Sequence, residues 1–246
     1  MKLCKDIYLV GSGALGFDMT SPWDCHVFLV DGGNEAGLID AGVGLASNQI
    51  LAHCREAIGN VKKIKHVLIT HTHGDHCGGA IDWKRKLGAK IYVSKPLAWQ
   101  LRTGDEHAMH LDVARKAGGY PKDYRMRACP VDVELNEGDT VKVGRYRLRV
   151  IGTSGQCRGH VSFHGNIAGK MVLFAGDTVA FGGKILLINT RDCDLHEYKE
   201  TIYKLAKLKV DVFLPSHGSP SLTNGGRHIR LAKDALDQLA IPPNLF

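Results

Sequence analysis

His66-Val67-Leu68-Ile69-Thr70, followed at once by His71-Thr72-His73-Gly74-Asp75-His76, is the stretch on which both fold and chemistry turn. The short apolar run reads as a buried strand, and the residues after it as a loop at that strand's end. Three imidazoles and one carboxylate crowd into six residues of that loop. Ordinary core and ordinary surface do not look like this. Histidine nitrogen and carboxylate oxygen suit zinc and related divalent ions, and a strand end is a rigid place from which to aim several of them. Gly74, Gly78 and Gly79 allow the close turns that convergence requires.

One loop cannot close two metal shells, so further ligands are expected at other strand ends. His160 opens an apolar strand after Thr153-Ser154-Gly155-Gln156-Cys157-Arg158-Gly159. Asp177 follows the run Met171–Phe174 within Ala175-Gly176-Asp177-Thr178, and His217 follows Val210–Leu214 within Pro215-Ser216-His217-Gly218. Around these points, strands are predicted near residues 5–10, 25–30, 36–40, 66–70, 90–93, 140–143, 146–151, 160–164 and 171–175. Helices are predicted over 46–59, 77–87, 195–208 and 222–239, the last two flanking the strand Val-Asp-Val-Phe-Leu-Pro. Mixed alternation of this kind argues for an α/β fold without an obvious linker, a single domain over residues 1–246. The segment 96–128 reads as helical and polar, broken at Gly118-Gly119 and Pro121.

The order of these motifs resembles the metallo-β-lactamase superfamily of dinuclear metallohydrolases, over nearly the whole chain. The family's H-x-H-x-D-H motif matches His71, His73, Asp75 and His76 without a gap. The resemblance implies a four-layer αβ/βα sandwich of two mixed β-sheets flanked by helices. It implies two divalent ions, zinc foremost, with iron or manganese as alternatives. His71, His73 and His160 would bind the first ion. Asp75, His76 and His217 would bind the second, with Asp177 bridging. Asp40, in Leu38-Ile39-Asp40-Ala41-Gly42, matches the family's early strand-end aspartate and would orient ligands from behind; Asp31 is the alternative. Where many relatives carry T-P-G-H-T-P-G-H, Gln156 replaces the first histidine and His160 keeps the second.

The same resemblance implies hydrolysis by a hydroxide held between the ions. With neutral imidazoles, two divalent ions, two carboxylates and one hydroxide leave a net charge near +1, and metal lowers the pKa of water to about 7. Asp75 and Asp177 are the catalytic carboxylates, either able to move a proton. Esters, lactones and thioesters leave as stabilised anions and fit this chemistry, as in the glyoxalase II and lactonase branches. A nucleic-acid phosphodiesterase and a mononuclear-iron persulfide dioxygenase of the same superfamily stay open as alternatives. Substrate choice is assigned to segment 96–128, where Glu106, His107 and His110 are spaced to share a helix face and Tyr120 and Tyr124 could rim a pocket. Lys184, in a glycine turn, is a further pocket candidate. The competing reading makes all of these surface residues.

Composition narrows the setting. The chain has 246 residues, 44% hydrophobic and 23% charged, which excludes disordered, coiled-coil and collagen-like classes. No apolar run approaches the ~20 residues of a membrane helix. Seven scattered cysteines and a charged first segment suggest free thiols in the cytoplasm. The net charge of +7 permits an anionic partner. Arg145, Arg147 and Arg149, however, alternate with Tyr146, Leu148 and Val150, the pattern of one solvated strand face. The expected partner is therefore a small molecule, anionic ones included, and neither a membrane nor nucleic acid; a homodimer stays open. Gly11-Ser12-Gly13-Ala14-Leu15-Gly16 matches a dinucleotide fingerprint, but Pro22 and the turn residues before it leave no room for the helix that motif needs. It reads as a loop between strands.

Overall fold

The computed structural model describes residues 1–245, which fall into two compact units. The first comprises residues 1–135 with 142–145, and the second 136–141 with 146 onward.

The first unit holds a seven-stranded mixed sheet, ordered β1 (Lys2–Cys4), β2 (Ile7–Gly11), β3 (Val27–Asp31), β4 (Ala36–Ile39), β5 (Ile64–Leu68), β6 (Lys90–Ser94) and β7 (Val133–Leu135). Neighbours from β1 to β4 run antiparallel, and β4, β5, β6 and β7 run parallel. The central strands are apolar on both faces, with every residue of β4 buried, as a sheet covered on both sides requires. α1 (Ser47–Ile58) buries Ser47, Ile50 and Cys54, a three- and four-residue spacing that lines one helical face. The predicted helix over 77–87 is two pieces, α2 (Gly74–Cys77) and α3 (Ala80–Leu87), the second ending on left-handed Gly88. Trp83 of α3 is fully buried in the core with Leu38, Val67 and Ile91.

The helical reading of 96–128 is corrected. Only α4 (Ala98–Thr103) and α5 (Leu111–Lys116) are α-helical there. Gly104 turns left-handed at φ 66°, and the Asp105 carboxylate accepts from His107 N and Ala108 N in a local turn, so the helix cannot continue. Glu106, His107 and His110 accordingly share no helix face. The glycine-rich stretch after β2 is a loop, pinned by Gly13 N to Asp24 O at 2.9 Å.

The second unit is built on a five-stranded mixed sheet. Its strands are β8 (Thr140–Val143, whose last two residues fall in the first unit), β9 (Tyr146–Gly152), β10 (Val161–Ile167), β11 (Lys170–Gly176) and β12 (Val212–Pro215), in the order β12-β11-β10-β9-β8. β9, β10 and β11 pair antiparallel, while β11 and β12 run parallel. Arg147 and Arg149 are exposed between buried Tyr146, Leu148 and Val150, a solvated strand face. α6 (Leu195–Leu205) starts where the Asp194 carboxylate accepts from His196 N and Glu197 N, and α7 (Gly226–Asp237) follows β12. Ile202, Leu205 and Ile229 of these helices pack with Leu173 and Phe213. Two mixed sheets with flanking helices thus make an α/β fold. Among the described residues, no helix is long and apolar enough to cross a membrane.

Candidate functional site

Parallel strands deliver side chains to one place, the loops at their carboxyl ends. In the first unit β4 and β5 are parallel neighbours, Ile39 beside Leu68, so Asp40 and the loop from Ile69 to His73 emerge together. Asp40 is fully buried with φ 62°, a left-handed turn that aspartate tolerates. Its carboxylate accepts from Thr70 N at 2.8 Å, from the Thr70 hydroxyl at 2.9 Å and from His76 Nδ1 at 2.9 Å.

These contacts fix proton positions. An ionised carboxylate only accepts, so the single Thr70 hydroxyl proton is committed to Asp40. Thr70 Oγ1 must then accept from His71 Nδ1, 3.1 Å away. His71 and His76 both carry their proton on Nδ1, which leaves Nε2 with its lone pair, the tautomer a metal ligand needs. The rings sit close, His71 4.0 Å from His76 and 4.5 Å from His73 between centroids. His76 Nε2 lies 3.2 Å from Asp75 Oδ2, an ion pair when the ring is protonated and two ligand atoms side by side when it is neutral. A shared cation suits that donor set.

The backbone around the cluster is tightly tied. Ala41 N donates to His76 O at 2.7 Å, Gly79 N to Gly42 O at 2.8 Å, and Trp83 Nε1 to Ala41 O at 3.0 Å. A Cβ on Gly78 would lie 2.2 Å from the Tyr124 hydroxyl and 2.3 Å from Val43 O, so no other residue fits there.

The second unit repeats the device with different parts. β11 and β12 are parallel, Gly176 beside Pro215, which brings Asp177 and His217 out together. His217 Nε2 lies 3.5 Å from Asp177 Oδ1. His160 stands just before β10, whose pairing with β9 sets Thr153 across from it, Thr153 N donating to His160 O at 2.9 Å. The Ser162 hydroxyl donates to Ala175 O at 2.9 Å, and a carbonyl only accepts. Ser162 Oγ therefore accepts from Thr153 Oγ1 at 3.0 Å, and Thr153 Oγ1 accepts from His160 Nδ1 at 2.8 Å. His160 is thus also protonated on Nδ1, and its Nε2 accepts from Asp177 N at 3.0 Å.

The remaining sequence candidates divide. His110 is buried in a left-handed turn, its ring 6.3 Å from that of His73. Tyr124 is buried and donates to Val43 O at 2.9 Å, which makes it a brace beneath the ligand loop and not a rim residue. Burial pushes its phenol well above the ordinary tyrosine range. His107 faces solvent with its side chain 73% exposed, its imidazole beside Asp112 at 3.2 Å, so it does not join the cluster. Lys184 is exposed in the turn after Gly183 of the second unit. Gln156 is buried. Asp31 receives Lys63 Nζ at 3.0 Å and stands apart from the histidines, so the strand-end aspartate among them is Asp40.

Three roles are not evident in the sequence, which offers Tyr120 only as a possible pocket rim. Thr70 and Thr153 accept the Nδ1 protons of His71 and His160, as described. Tyr120 donates its hydroxyl to Asp75 Oδ1 at 2.6 Å, and burial followed by the Asp75 charge holds its phenol well above the usual range, so it stays protonated. Cys25 also lies with Asp40 and His76 in a group whose ligand atoms are within 4.8 Å of one another, its thiol kept protonated by burial.

Comparison with known proteins agrees with this architecture. The family model described as the metallo-beta-lactamase superfamily matches residues 20–217. A hydroxyacylglutathione hydrolase of Rhodopseudomonas palustris is 29% identical over 117 residues, 48% of this chain and 34% of that protein. The human acyl-coenzyme A thioesterase MBLAC2 is 28% identical over 174 residues, 65% of this chain and 60% of that protein. The chain therefore spans between a third and three-fifths of the length of these relatives. A solved metallo-β-lactamase of Cronobacter sakazakii shares the fold with a TM-score of 0.73, at 21% identity, covering 97% of this chain and 96% of that one.

Proposed function

The chain belongs to the metallo-β-lactamase superfamily, and from that premise we propose that it is a metal-dependent hydrolase of small-molecule esters, lactones or thioesters, with thioesters favoured. Support for thioesters comes from the relatives, whose names denote hydroxyacylglutathione and acyl-coenzyme A as substrates. The observation that carries the metal reading is that Nδ1 of His71, His76 and His160 is held by Thr70, Asp40 and Thr153, which favours the Nδ1–H tautomer and leaves Nε2 as the ligand atom.

In this proposal, as the family resemblance implies, His71, His73, Asp75, His76, His160, Asp177 and His217 are the ligands of two divalent ions, zinc foremost. Such ions, when bound, supply Lewis acidity and make hydroxide available at neutral pH. The protein's own part is orientation. Asp40 and Thr70 keep two imidazoles aimed, and Thr153 does the same for His160. Asp75 and Asp177 are the carboxylates assigned to carry a proton to the leaving group. Buried His110, beside His73, is assigned to the substrate side. Seven cysteines outside disulfide bonds fit a reducing compartment such as the cytoplasm.

The test is metal analysis of the purified protein followed by hydrolysis of a panel: an acyl thioester, a lactone, a simple ester, a β-lactam and a phosphodiester. Thioester turnover that a chelator abolishes and zinc restores is expected, and Asp177→Ala should lose nearly all of it. Turnover indifferent to the chelator would remove the metal reading. Turnover of the phosphodiester alone would replace the substrate class.

A further inference from the structure

Tyr120 and Tyr124 stack with ring centroids 5.4 Å apart and planes 15° from parallel. The pair lies against the ligand loop: a Cβ on Gly74 would come within 3.2 Å of Cε1 of both rings. The glycine in the middle of the histidine motif is therefore the seat of this stack. Their hydroxyls part ways. Tyr124 OH donates to the backbone at Val43 O, 2.9 Å. Tyr120 OH donates to Asp75 Oδ1 at 2.6 Å and accepts from Asp75 N at 3.2 Å.

That second arrangement is a closed ring. One phenol bridges the backbone and the side chain of the same residue, which fixes the rotation of the Asp75 side chain and of its carboxylate plane. The short bond is of the charge-assisted kind, stronger than a neutral pair. With Oδ1 gripped, the other oxygen, Oδ2, stands 3.2 Å from His76 Nε2. An untethered carboxylate turns about its last bond and can present either oxygen or both.

We propose that Tyr120 is a positioning residue for the metal: it holds Asp75 Oδ1 so that Asp75 ligates through Oδ2 alone. The inference rests on the reading of Asp75 as a ligand. Segment 96–128 then serves the metal set through Tyr120, in addition to any part it has in substrate choice. Arg115 supports the placement, donating to Tyr124 O at 2.9 Å and to Glu106 Oε2 at 2.9 Å, while Glu106 Oε1 accepts from Met126 N at 3.0 Å. These contacts hold the polypeptide around the stack.

The test compares the whole protein with Tyr120→Phe and Tyr124→Phe, both of which keep the ring. Zinc affinity is measured by competition with a chelating dye, cobalt(II) absorption reports ligand geometry, and urea unfolding of the metal-free proteins reports stability. Tyr120→Phe should weaken the more loosely held zinc equivalent about tenfold or more and alter the cobalt bands. Tyr124→Phe should lower the unfolding midpoint and change zinc affinity less than Tyr120→Phe does, because its hydroxyl holds backbone, Val43 O at 2.9 Å and Gly74 O at 3.5 Å, and does not touch Asp75. Zinc affinity and cobalt spectrum of Tyr120→Phe equal to wild type would overturn the proposal while leaving the ligand assignment standing. Failure of the wild-type protein to bind zinc or cobalt would overturn both.

Discussion

The two units anchor imidazoles by the same logic and end it differently. In each, a parallel strand pair delivers the side chains, β4 with β5 and β11 with β12. In each, a histidine Nδ1 donates to a threonine hydroxyl, Thr70 or Thr153. The first relay stops on a buried carboxylate, Asp40, which also takes His76 directly. The second passes through Ser162 and stops on a neutral carbonyl, Ala175 O. A carboxylate accepts several donors at once and makes the imidazoles it touches more basic, so a single residue organises two ligands from one short loop. A carbonyl at the end of two hydroxyls serves one histidine. Ligands that are contiguous in sequence share an anchor, and the scattered His160 has its own.

The largest break in this comparison is expected from Asp40→Ala. Thr70 N, the Thr70 hydroxyl and His76 Nδ1 would all lose their buried acceptor, a loss of about 3–5 kcal/mol together with metal uptake. Urea unfolding of the metal-free protein and metal analysis measure it, and an unchanged midpoint would show that the network contributes nothing. Thr70→Val and Thr153→Val come next and test whether the terminus matters. Thr70→Val, which strips a donor from a charged acceptor, should destabilise by about 2 kcal/mol, and Thr153→Val by about 1 kcal/mol. Equal losses would erase the distinction between carboxylate and carbonyl ends.

A pH effect sharpens the contrast within the second unit. His228 Nδ1 accepts from Gly182 N at 3.0 Å, and burial, then the Arg227 charge, lowers its pKa. The folded state thus prefers neutral His228, and its contribution is present above the ordinary imidazole pKa of about 6.5 and fades as pH falls below it. His228→Asn should flatten that part of the stability profile between pH 7.5 and 5.5, and identical slopes would contradict this. The smallest effect belongs to His107→Ala. Its exposed pair with Asp112 is worth no more than about 0.5 kcal/mol, and metal uptake should not change.

The sequence disclosed these regions unevenly, for a physical reason. The cluster from His71 to His76 is legible because its ligands are neighbours on the chain and follow an apolar strand. The strand-end positions of Asp177 and His217 are legible in the same way, from β11 and β12. Thr153 is not, because its partnership with His160 depends on the β9–β10 register, Gly152 opposite Val161. The contact of Tyr120 with Asp75 is not, because the two meet across 45 residues through left-handed turns at Gly104 and His110 that carry no periodic signal. Helical spacing was the wrong ruler for that segment, and His107 went to solvent as a result. β7, three residues long, is too short to declare itself.

The most direct test of the account is the protonation of the rings themselves. Long-range nitrogen–proton correlation spectra of the metal-free protein at neutral pH distinguish the two imidazole tautomers. The relays predict Nδ1–H with an unprotonated Nε2 for His71, His76 and His160. Nε2–H on these rings would contradict the anchoring scheme, and with it the claim that both units hold their histidines ready for metal.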